Sequence, residues 1–406
     1  MTIAIASPIS TGAFSEFLNE ESKVRCEELS KNYAPAVTTL AKEFISAGHK
    51  LIIFTLDPKA TDELTLIGES VTIYVAPAVL TNRLKRGLSP FIGRDVRMIN
   101  KLFNRNREPI DVISVHWTRD YAIAARRFIK QIPVFVTVRD IIPYILSTQK
   151  LTLRNYRWWI IYLMNEYVML HKDYKFIANS QYTANSIKRY WNKDVPVISN
   201  PTLDKYFKIK YSPANPDKVF EISTISISHP DDKRKNILSL LKAFQIVHKK
   251  FSNTRLNLIG PSFSEENPVV KQLSMTGLLN GVKLRGAMAH DEVLKFLSQS
   301  HLMVHPSLEE TFGNTLIESM AVGCPVVGGI HSGAVPFVLE NGKAGYLCNV
   351  ESAETLAETI IKVIESPEDR ERISQYAKGY CNKNYSSKNI AQQYLQLFKD
   401  AIQSMK

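Results

Sequence analysis

The most constraining feature of this 406-residue chain is a repeated alternation of short apolar runs with segments that follow helical spacing. Runs of strand length separated by amphipathic helices are typical of a parallel sheet covered by helices. In the first half, the apolar runs are residues 3–6, 51–55, 71–75, 112–115, 134–138, 176–178 and 195–198. In the second half, they are residues 220–227, 256–259, 282–284, 302–304, 326–327 and 346–347. The chain is therefore predicted to form two α/β units.

The length of the chain also favours two units, because a single hydrophobic core rarely grows beyond about 250–300 residues. A stretch rich in proline and polar residues, 208–217, lies between the two sets of runs and is the predicted linker. The predicted domains are therefore residues 1–207 and 218–385.

The composition is that of an ordinary globular protein, with 45% hydrophobic and 22% charged residues. No apolar run approaches the ~20 residues that a membrane-spanning helix needs, and the N-terminus lacks the pattern of a secretory signal. The four cysteines are widely separated, which favours neither a disulfide framework nor a zinc site. We therefore expect a cytoplasmic protein with reduced cysteines.

The net charge of +12 is concentrated in the first half of the chain, where residues 1–205 hold 28 basic and 19 acidic residues. Between 83 and 107, eight basic residues alternate with apolar ones around the single acid Asp95. This segment fits docking on an anionic membrane surface or, equally, a solvated helix face. The stretch 154–162, where aromatic residues adjoin arginines, fits a membrane interface or buried helix packing. No nucleic-acid partner is predicted.

Two carboxylates, Glu310 and Glu318, stand eight positions apart around a glycine turn that is predicted to open a helix. A helix that begins near Gly313 presents unpaired N–H groups and a partial positive charge, which suit an anionic diphosphate. Glu310, before the helix, can face the sugar end of a nucleotide-sugar, and Glu318, inside it, can accept hydrogen bonds from ribose hydroxyls. The alternative is an ordinary loop, helix and strand with two solvated acids.

The flanking sequence places Pro306 and Ser307 before the acids, and Gly323, Pro325 and an apolar run after them. In this order of elements the chain resembles the family-four retaining glycosyltransferases, also called glycosyl transferases group 1, over nearly its whole length. The resemblance implies the α/β GT-B fold, in which two Rossmann-like doubly wound domains face a central cleft. It also implies that the last helix, 386–406, packs back on the first domain.

The resemblance further implies the donor-side residues. Arg234 and Lys235 take the family's place for cations that stabilise the departing diphosphate. The family's preceding strand commonly ends in Gly-Arg, which is absent here, so either cation can take the arginine's role, and a solvated basic turn is the alternative. Glu310, Arg234 and Lys235 are the predicted catalytic residues. The predicted donor-binding residues are Glu318, Phe312, Gly313, Asn314, Thr315, Gly260 and Arg285.

An adjacent acid pair, Asp231 and Asp232, invites comparison with the metal-binding Asp-x-Asp of another glycosyltransferase fold. The spacer residue is missing and three basic residues follow, so ion pairing or helix capping is expected instead. No metal and no cofactor are predicted. A nucleotide-sugar such as a UDP- or GDP-sugar is the expected co-substrate.

On the acceptor side, the resemblance implies Gly12, His116, Arg139 and Asp140. The family has His-Asp where this chain has Arg139 and Asp140. A guanidinium cannot act as a neutral imidazole, but it can hold a phosphate or a carboxylate. Phe337 stands where the family has a further acid, which can alter donor-sugar recognition or have no effect.

The expected function is retaining, metal-independent transfer of a sugar from a nucleotide-sugar to a saccharide or lipid-linked acceptor, in surface polysaccharide or glycan synthesis. Peripheral contact with the inner face of the membrane through the basic first domain is a further expectation. The alternatives are a nucleotide-sugar epimerase on the same fold and a non-catalytic nucleotide-sugar-binding scaffold. A Rossmann oxidoreductase is disfavoured, because no Gly-x-Gly-x-x-Gly follows residues 3–6 and no acidic residue is expected to end the next strand.

Overall fold

The computed structural model describes residues 1–31, 34–78, 93–148, 156–213, 215 and 218–405. The chain separates into two compact units. Unit 1 is Met1–Pro201 together with Ser387–Lys406, and unit 2 is Thr202–Ser386. The predicted end of the first domain, residue 207, lies six residues after Pro201. The predicted end of the second domain, residue 385, lies one residue before Ser386.

Unit 1 contains a seven-stranded sheet. Its strands are β1 (Thr2–Ala6), β2 (Lys50–Asp57), β3 (Leu64–Ile67), β4 (Val71–Pro77), β5 (Val112–His116), β6 (Val134–Val138) and β7 (Lys175–Ala178). The strand order is β3-β4-β2-β1-β5-β6-β7, and each neighbouring pair is parallel except β3 with β4. The α-helices of this part are α1 (Glu20–Glu27), α2 (Pro35–Ser46), α3 (Arg94–Arg105), α4 (Asp120–Ala125), α5 (Ile142–Ser147), α6 (Tyr156–Met169) and α7 (Gln181–Trp191).

Unit 2 contains a six-stranded sheet in which every pair is parallel. Its strands are β8 (Phe220–Ile225), β9 (Thr254–Ile259), β10 (Val282–Gly286), β11 (Leu302–His305), β12 (Val326–Gly329) and β13 (Tyr346–Cys348). Its α-helices are α8 (Ile237–Lys250), α9 (Pro268–Ser274), α10 (His290–Gln299), α11 (Asn314–Val322), α12 (Val335–Val338), α13 (Ala353–Glu365) and α14 (Pro367–Tyr385). The strand order is β10-β9-β8-β11-β12-β13.

Both sheets are doubly wound, because the strand order runs outward in both directions from the first strand of each unit. The direction reverses between β8 and β11 in unit 2, and between β1 and β5 in unit 1. Open parallel sheets bind ligands outside the carboxyl ends of their strands at such a switch point. The topology alone therefore marks one ligand site in each unit.

The last helix of the chain, α15 (Ser387–Gln403), belongs to unit 1. The rings of Tyr394 and Phe398 contact the ring of Phe44 in α2, with centroids 6.3 and 5.9 Å apart. The Tyr394 hydroxyl lies 3.1 Å from Oγ1 of Thr137 in β6. Helices α2 and α15 thus cover one face of the sheet, and the other face packs against α3, α4, α6 and α7.

The strands of unit 1 are buried because their side chains alternate between these two cores. In β1, Ile3 and Ile5 point to the α2 and α15 side, whereas Ala4 and Ala6 point to the other. Strands buried on both faces read in the sequence as continuous apolar runs. This is why the sequence pattern predicts most of them.

The predicted linker, 208–217, lies within unit 2 over its described residues, and residues 214, 216 and 217 fall outside the described part of the chain. The Tyr211 hydroxyl donates to the carbonyl oxygen of Ser300 at 3.1 Å. The backbone N–H of Ser212 donates to the carbonyl oxygen of Ser298 at 2.9 Å. The described part of this segment is therefore packed on unit 2.

Two strand predictions are wrong. Residues 195–198 are not a strand, since they make a single bridge, between Val197 and Ala178. Strand β3 is absent from the prediction because only one of its four side chains is buried, which leaves a weak apolar signal. It is an antiparallel edge strand, and edge strands bury less than central ones.

The expectation that no acidic residue ends the second strand is also wrong, because β2 extends to Asp57. This buried carboxylate accepts hydrogen bonds from the Ser30 hydroxyl at 2.8 Å and from the Ser30 backbone N–H at 3.2 Å. It also accepts from the Lys59 backbone N–H at 2.8 Å. Asp57 therefore anchors the turns at this edge of the sheet.

Much of the predicted basic segment, 83–107, lies outside the described residues, and so do residues 154 and 155 of the second stretch. In the described part of the first, Lys101 and Arg105 of α3 both pair with Glu63. Among the described residues, no helix combines the length and the apolar character that a membrane crossing requires. All four cysteines are unpaired and buried.

Candidate active site

The carboxyl ends of β8 and β11 meet at the switch point of unit 2. The loop after β8 carries Arg234 and Lys235, and the loop after β11 carries Glu309 and Glu310. The backbone N–H of Leu308 donates to the carbonyl oxygen of Arg234 at 2.8 Å, which ties the two loops together. The fold thus brings the predicted diphosphate cations and the first predicted acid to one place.

Lys235 and Glu310 form a largely buried ion pair. Nζ of Lys235 lies 2.5 Å from Oε1 of Glu310, and the two side chains are 16% and 13% exposed. Nε2 of His305, the last residue of β11, lies 3.2 Å from the same oxygen. Because an ionised carboxylate only accepts hydrogen bonds, both neighbours donate to Glu310.

These contacts determine the charge state of Glu310. Burial alone would raise the pKa of this carboxyl group. The hydrogen bond from His305 and the charge of Lys235 outweigh burial, so the pKa lies well below its ordinary value of 4.5. Glu310 is therefore an oriented anion at neutral pH, suited to accept a hydrogen bond or to stabilise positive charge.

His305 links Glu310 to the first turn of α11. Nδ1 of its ring lies 3.3 Å from the hydroxyl of Thr315, on the side opposite to the contact with Glu310. The sequence pattern includes His305 but assigns it no partner. The available signal is its position at the end of a buried strand, five residues before Glu310.

The side chain of Arg234 makes a weaker ion pair than that of Lys235. Its guanidinium lies 3.7 Å from the Glu309 carboxylate, which is too long for a strong hydrogen bond. Among the described residues, Glu309 is its one side-chain partner. The Arg234 side chain is 36% exposed, and a guanidinium has five N–H donors in a fork. Of the two predicted cations, Arg234 therefore keeps donors available for an anion.

Helix α11 begins after Gly313, which has a φ of 91° in the left-handed region. A Cβ atom there would lie 2.8 Å from Cδ1 of Leu316, a side-chain end that could shift, so it is the left-handed conformation that favours glycine. Its N-cap residue, Gly313, has no side chain that could cap the helix, and no acid stands in the described first turn. The start of α11, with Asn314 and Thr315 as its first residues, therefore keeps the partial positive charge that suits an anion.

Phe312 has a structural side chain. It is 2% exposed, and its ring packs at right angles to that of Tyr385 with centroids 5.7 Å apart. Only its backbone is therefore available to a ligand at the start of α11.

The loop that carries Glu310 is supported by helix α12. The backbone N–H of Ala334 donates to the carbonyl oxygen of Glu310 at 2.8 Å. Phe337, which replaces the family acid in this helix, packs half-buried against the core around α11. At this position the chain thus has an apolar contact in place of a charge.

Glu318, inside α11, is paired with a histidine that the sequence analysis does not identify. Nε2 of His290, the first residue of α10, lies 3.0 Å from Oε1 of Glu318, and Nδ1 lies 3.0 Å from the Tyr206 hydroxyl. The hydrogen bond to Glu318 raises the pKa of His290 above 6.5, against the effect of burial. Among the described residues, His290 is the hydrogen-bond partner of the Glu318 carboxylate.

The two remaining predicted donor residues occupy different places. Gly260, directly after β9, has a φ of 150°, and a Cβ atom there would lie 1.8 Å from the carbonyl oxygen of Ser226. It therefore permits close approach of the loops after β8 and β9. Arg285 lies in the edge strand β10, where Nε donates to Oδ1 of Asn257 at 3.0 Å and the guanidinium lies 5.0 Å from the Phe296 ring centroid. These contacts do not join it to the Glu310 cluster.

The turn between β8 and α8 contains the adjacent acids. Oδ1 of Asp231 lies 2.6 Å from Nδ1 of His229, and Oδ1 of Asp232 accepts from the backbone N–H of Arg234 at 3.0 Å. Asn236, directly before α8, has a φ of 54°, which asparagine tolerates better than most residues. In the described part of the chain, no group of three or more His, Cys, Asp or Glu side chains could hold a metal ion.

In unit 1, the four predicted acceptor-side residues lie at the carboxyl edge of the sheet. Gly12 follows β1 and His116 ends β5, on either side of the switch point, and Arg139 and Asp140 follow β6. A Cβ atom at Gly12 would lie 2.7 Å from the carbonyl oxygen of Leu29, so this glycine permits close packing of the turn before α1.

Arg139 and His116 are buried against each other. Nε and one terminal nitrogen of Arg139 lie 3.2 and 3.1 Å from Nδ1 of His116, and the guanidinium also donates to Oδ1 of Asn200. Burial and the charge of Arg139 lower the pKa of His116 well below 6.5. Because a guanidinium only donates, the neutral ring accepts at Nδ1 and carries its proton on Nε2. The neutral imidazole that Arg139 cannot provide is thus present on the neighbouring strand.

Two doubly wound α/β units, with an oriented acid and two cations at the switch point of the second, define a protein of the GT-B fold class. Residues 35–202 match the family described as Glycosyltransferase Family 4, and residues 223–380 match the family described as Glycosyl transferases group 1. The chain is accordingly a family-four-type glycosyltransferase of GT-B fold. This confirms the predicted family and fold class.

Curated relatives are similar over part of their length. The chain is 27% identical to the N-acetyl-alpha-D-glucosaminyl L-malate synthase of Bacillus anthracis over 219 residues, which are 53% of this chain and 56% of that protein. It is 29% identical to the capsular polysaccharide biosynthesis glycosyltransferase CapM of Staphylococcus aureus over 160 residues, 39% of this chain and 41% of that one. The chain thus spans about half the length of the curated relatives that it matches.

Solved structures are similar over the whole chain. Sucrose-phosphate synthase from Thermosynechococcus elongatus has a TM-score of 0.73 at 17% identity, with both chains covered completely. Anabaena HepE in complex with UDP-glucose has a TM-score of 0.64 at 18% identity, over 98% of this chain and 100% of that one. At these identities the similarity concerns the fold.

Proposed function

We propose that this protein transfers a sugar from a nucleotide-sugar to a saccharide or lipid-linked acceptor without a metal ion, in the synthesis of a surface polysaccharide or another glycan. The observation that carries the proposal is the cluster of Arg234, Lys235 and Glu310 beside the start of α11, at the switch point of unit 2. A cation with available donors and a helix start without an acid in its first turn would suit a diphosphate. The adjacent anion, Glu310, is proposed to face the attached sugar.

The reaction has a simple electronic requirement. The bond between the anomeric carbon and the diphosphate oxygen breaks with its electron pair on the diphosphate. The acceptor oxygen bonds to the anomeric carbon, and its proton passes to an oxygen of the departing diphosphate or to water. Negative charge therefore grows on the diphosphate, and positive charge grows on the sugar. Preorganised groups that oppose both charges lower the barrier.

Each charge has a candidate partner in unit 2. Arg234 and the first-turn N–H groups of α11 are proposed to bind the diphosphate, since Arg234 is the cation with available donors. Lys235 is proposed to add positive charge beside the diphosphate, and its ion pair holds Glu310 in place. Glu310, ionised and oriented, is proposed to position the donor sugar and to stabilise its developing positive charge.

Glu318 is proposed to accept hydrogen bonds from the ribose of the donor. His290 holds one of its oxygens, which fixes the carboxylate within α11. A carboxylate has more acceptor positions than one histidine occupies. His290 is thereby a positioning residue that sequence reasoning does not find.

The donor class has support from relatives and neighbours. HepE was solved with UDP-glucose, and CapM is described as acting in capsular polysaccharide biosynthesis. These descriptions concern those proteins, and they support a nucleotide-sugar donor and a polysaccharide product for this one. Retention of the anomeric configuration is proposed from the family, and a cytoplasmic location stays a prediction.

The test combines donor consumption with product analysis. The purified chain is incubated with UDP- and GDP-sugars, with and without a panel of saccharide and lipid-linked acceptors, in the presence of a chelator. Acceptor-dependent release of nucleoside diphosphate, with an α-linked product from an α-linked donor by proton NMR, is the expected result. Conversion of the donor without an acceptor would indicate an epimerase instead. Donor binding without turnover on any acceptor of the panel would favour a scaffold.

A further inference from the structure

Helix α6 has apolar side chains on its outward face as well as on its inward face. Four large side chains share the outward face and are exposed to solvent: Trp159, Leu163 and Tyr167 of the helix, and Leu170 of the turn directly after it, which we call the α6 stripe. Their exposed fractions are 45%, 64%, 43% and 67%. The Leu170 N–H donates to the Glu166 carbonyl oxygen at 2.9 Å, so the helical pattern continues to Leu170. Spacings of four, four and three residues therefore place the four side chains in one row about 16 Å long.

The opposite face of α6 is buried and partly polar. Asn165 is 1% exposed, and the Thr118 hydroxyl donates to its Oδ1 at 2.5 Å. Ile161, Val168 and Met169 complete this inward face. A surface helix normally places polar residues outward and apolar residues inward. In α6 the outward row is apolar, although an amide is satisfied in the interior.

Glu166, the acid within helix α6, is engaged elsewhere. Oε2 of Glu166 accepts from the indole N–H of Trp191 at 2.9 Å, and Oε1 lies 3.4 Å from the Asn165 amide. The next acid along the chain, Asp173, lies 3.8 Å from Nδ1 of His171. Neither carboxylate interrupts the row of apolar side chains.

Cations border the stripe. The guanidinium of Arg126 lies 5.1 Å from the ring centroid of Tyr167 and donates to its hydroxyl, and the Arg126 side chain is exposed. Lys172 lies two residues after Leu170 and is exposed. Residues 119–175 hold ten basic and four acidic residues. Aromatic and leucine side chains edged by arginine and lysine are what the interface of an anionic bilayer binds.

We infer that the α6 stripe is a docking surface for an anionic lipid bilayer, with Trp159, Leu163, Tyr167 and Leu170 entering the interface and Arg126 contacting lipid phosphates. The exposed cations beside the stripe, Arg126 and Lys172, select this occupant over a second copy of the chain, which would bring like charges together. The inference goes beyond the proposed transfer reaction and does not depend on it, because vesicle binding is measured without a donor.

The test is co-sedimentation of the full chain with vesicles of phosphatidylcholine alone and of phosphatidylcholine mixed with phosphatidylglycerol. The variant has Leu163→Gln and Leu170→Gln. The matched control has Val24→Gln and Met275→Gln, which are exposed to 68% and 86% outside the stripe. Because all four side chains are exposed, the unfolding temperatures of both variants should stay close to that of the wild type.

Binding to the anionic vesicles is expected for the wild type and the control, and about tenfold or greater weakening for the stripe variant. Arg126→Gln should reduce the preference for anionic over neutral vesicles. Absence of wild-type binding, or equal binding by both double variants, would overturn the inference. A concentration-dependent dimer that the stripe variant abolishes would also overturn it, because the stripe would then join two copies.

Discussion

The ammonium of Lys235 lies 2.5 Å from the carboxylate of Glu310, although 75 residues separate them in the chain. The contact joins the loops after the two strands at the switch point of unit 2. It leaves Glu310 ionised and fixed, and it leaves Arg234 as the cation with available donors. We therefore propose that Glu310 acts on the donor sugar and that Arg234 binds the diphosphate.

Glu310→Gln should lower turnover by about 10²–10³-fold, because it removes the charge opposite the developing oxocarbenium while it keeps the size of the side chain. The dissociation constant of the nucleoside diphosphate should change little. Steady-state kinetics and calorimetric titration measure the two quantities separately. Glu365→Gln is the matched control, because Glu365 forms an exposed pair with Lys250 at 2.6 Å. Equal turnover by Glu310→Gln and the wild type would remove Glu310 from the mechanism.

Arg234→Gln should weaken binding of a nucleoside diphosphate by about ten- to a hundredfold, the loss expected for a hydrogen bond to a charged group. Lys233→Gln provides the control, because Lys233 is exposed and adjacent in the sequence. Its affinity should stay at the wild-type value. If both variants lost affinity equally, the net positive charge of this turn would attract the diphosphate, and Arg234 would make no specific contact with it.

The stability of unit 2 should depend on pH through Glu310. The pKa of this group is lower in the folded state than its ordinary value of 4.5, so its stabilisation is complete above pH 4.5 and is lost as the pH falls through the folded-state pKa. Urea unfolding at a series of pH values should therefore show Glu310→Gln less stable than the wild type by about 1–3 kcal/mol at neutral pH. The gap should narrow in acid, and a gap that widened there would contradict the assignment.

His290 should show the opposite pH dependence. Its pKa is raised above 6.5 by Glu318, so the stabilisation is complete below pH 6.5 and is lost as the pH rises through the folded-state pKa. The difference in unfolding free energy between the wild type and Glu318→Gln should therefore be larger near pH 6 than near pH 9. An NMR titration should show the His290 pKa falling in this variant. An unchanged pKa would mean that the two side chains do not interact in solution.

Two glycine substitutions should change stability in opposite directions. Gly260→Ala places a methyl group 1.8 Å from the Ser226 carbonyl oxygen at a φ of 150°, so it should destabilise the protein by more than about 2 kcal/mol. Gly379→Ala has nothing within 4 Å and lies in helix α14, so it should stabilise by about 0.5–1 kcal/mol. Denaturant unfolding of both variants measures these changes. Destabilisation by Gly379→Ala would contradict the described environment of α14.

The architecture could be predicted because strands buried on both faces read as apolar runs, and because glycines such as Gly313 and Gly323 mark the ends of α11. Edge strands are harder to predict from the sequence, because they bury fewer side chains; β3 buries one of its four. A short apolar run such as 195–198 can also line a core without pairing as a strand. Burial is visible in a sequence, but hydrogen-bond partnership is not.

The candidate site could be predicted in its residues but not in its pairings. The spacing of Glu310 and Glu318 is local, so the sequence contains it. The contact of Glu318 with His290 spans 28 residues, and that of Arg139 with His116 spans 23. Such pairs are set by which strands lie side by side, and a single sequence does not specify that arrangement residue by residue.

The proposed diphosphate site is best tested by a structure of the chain with a bound nucleoside diphosphate. We expect phosphate oxygens within hydrogen-bond distance of the Arg234 guanidinium and of the backbone N–H groups at the start of α11. The ribose hydroxyls should donate to the Glu318 carboxylate. A diphosphate bound elsewhere in unit 2, with Arg234 still directed only at Glu309, would contradict the proposed site.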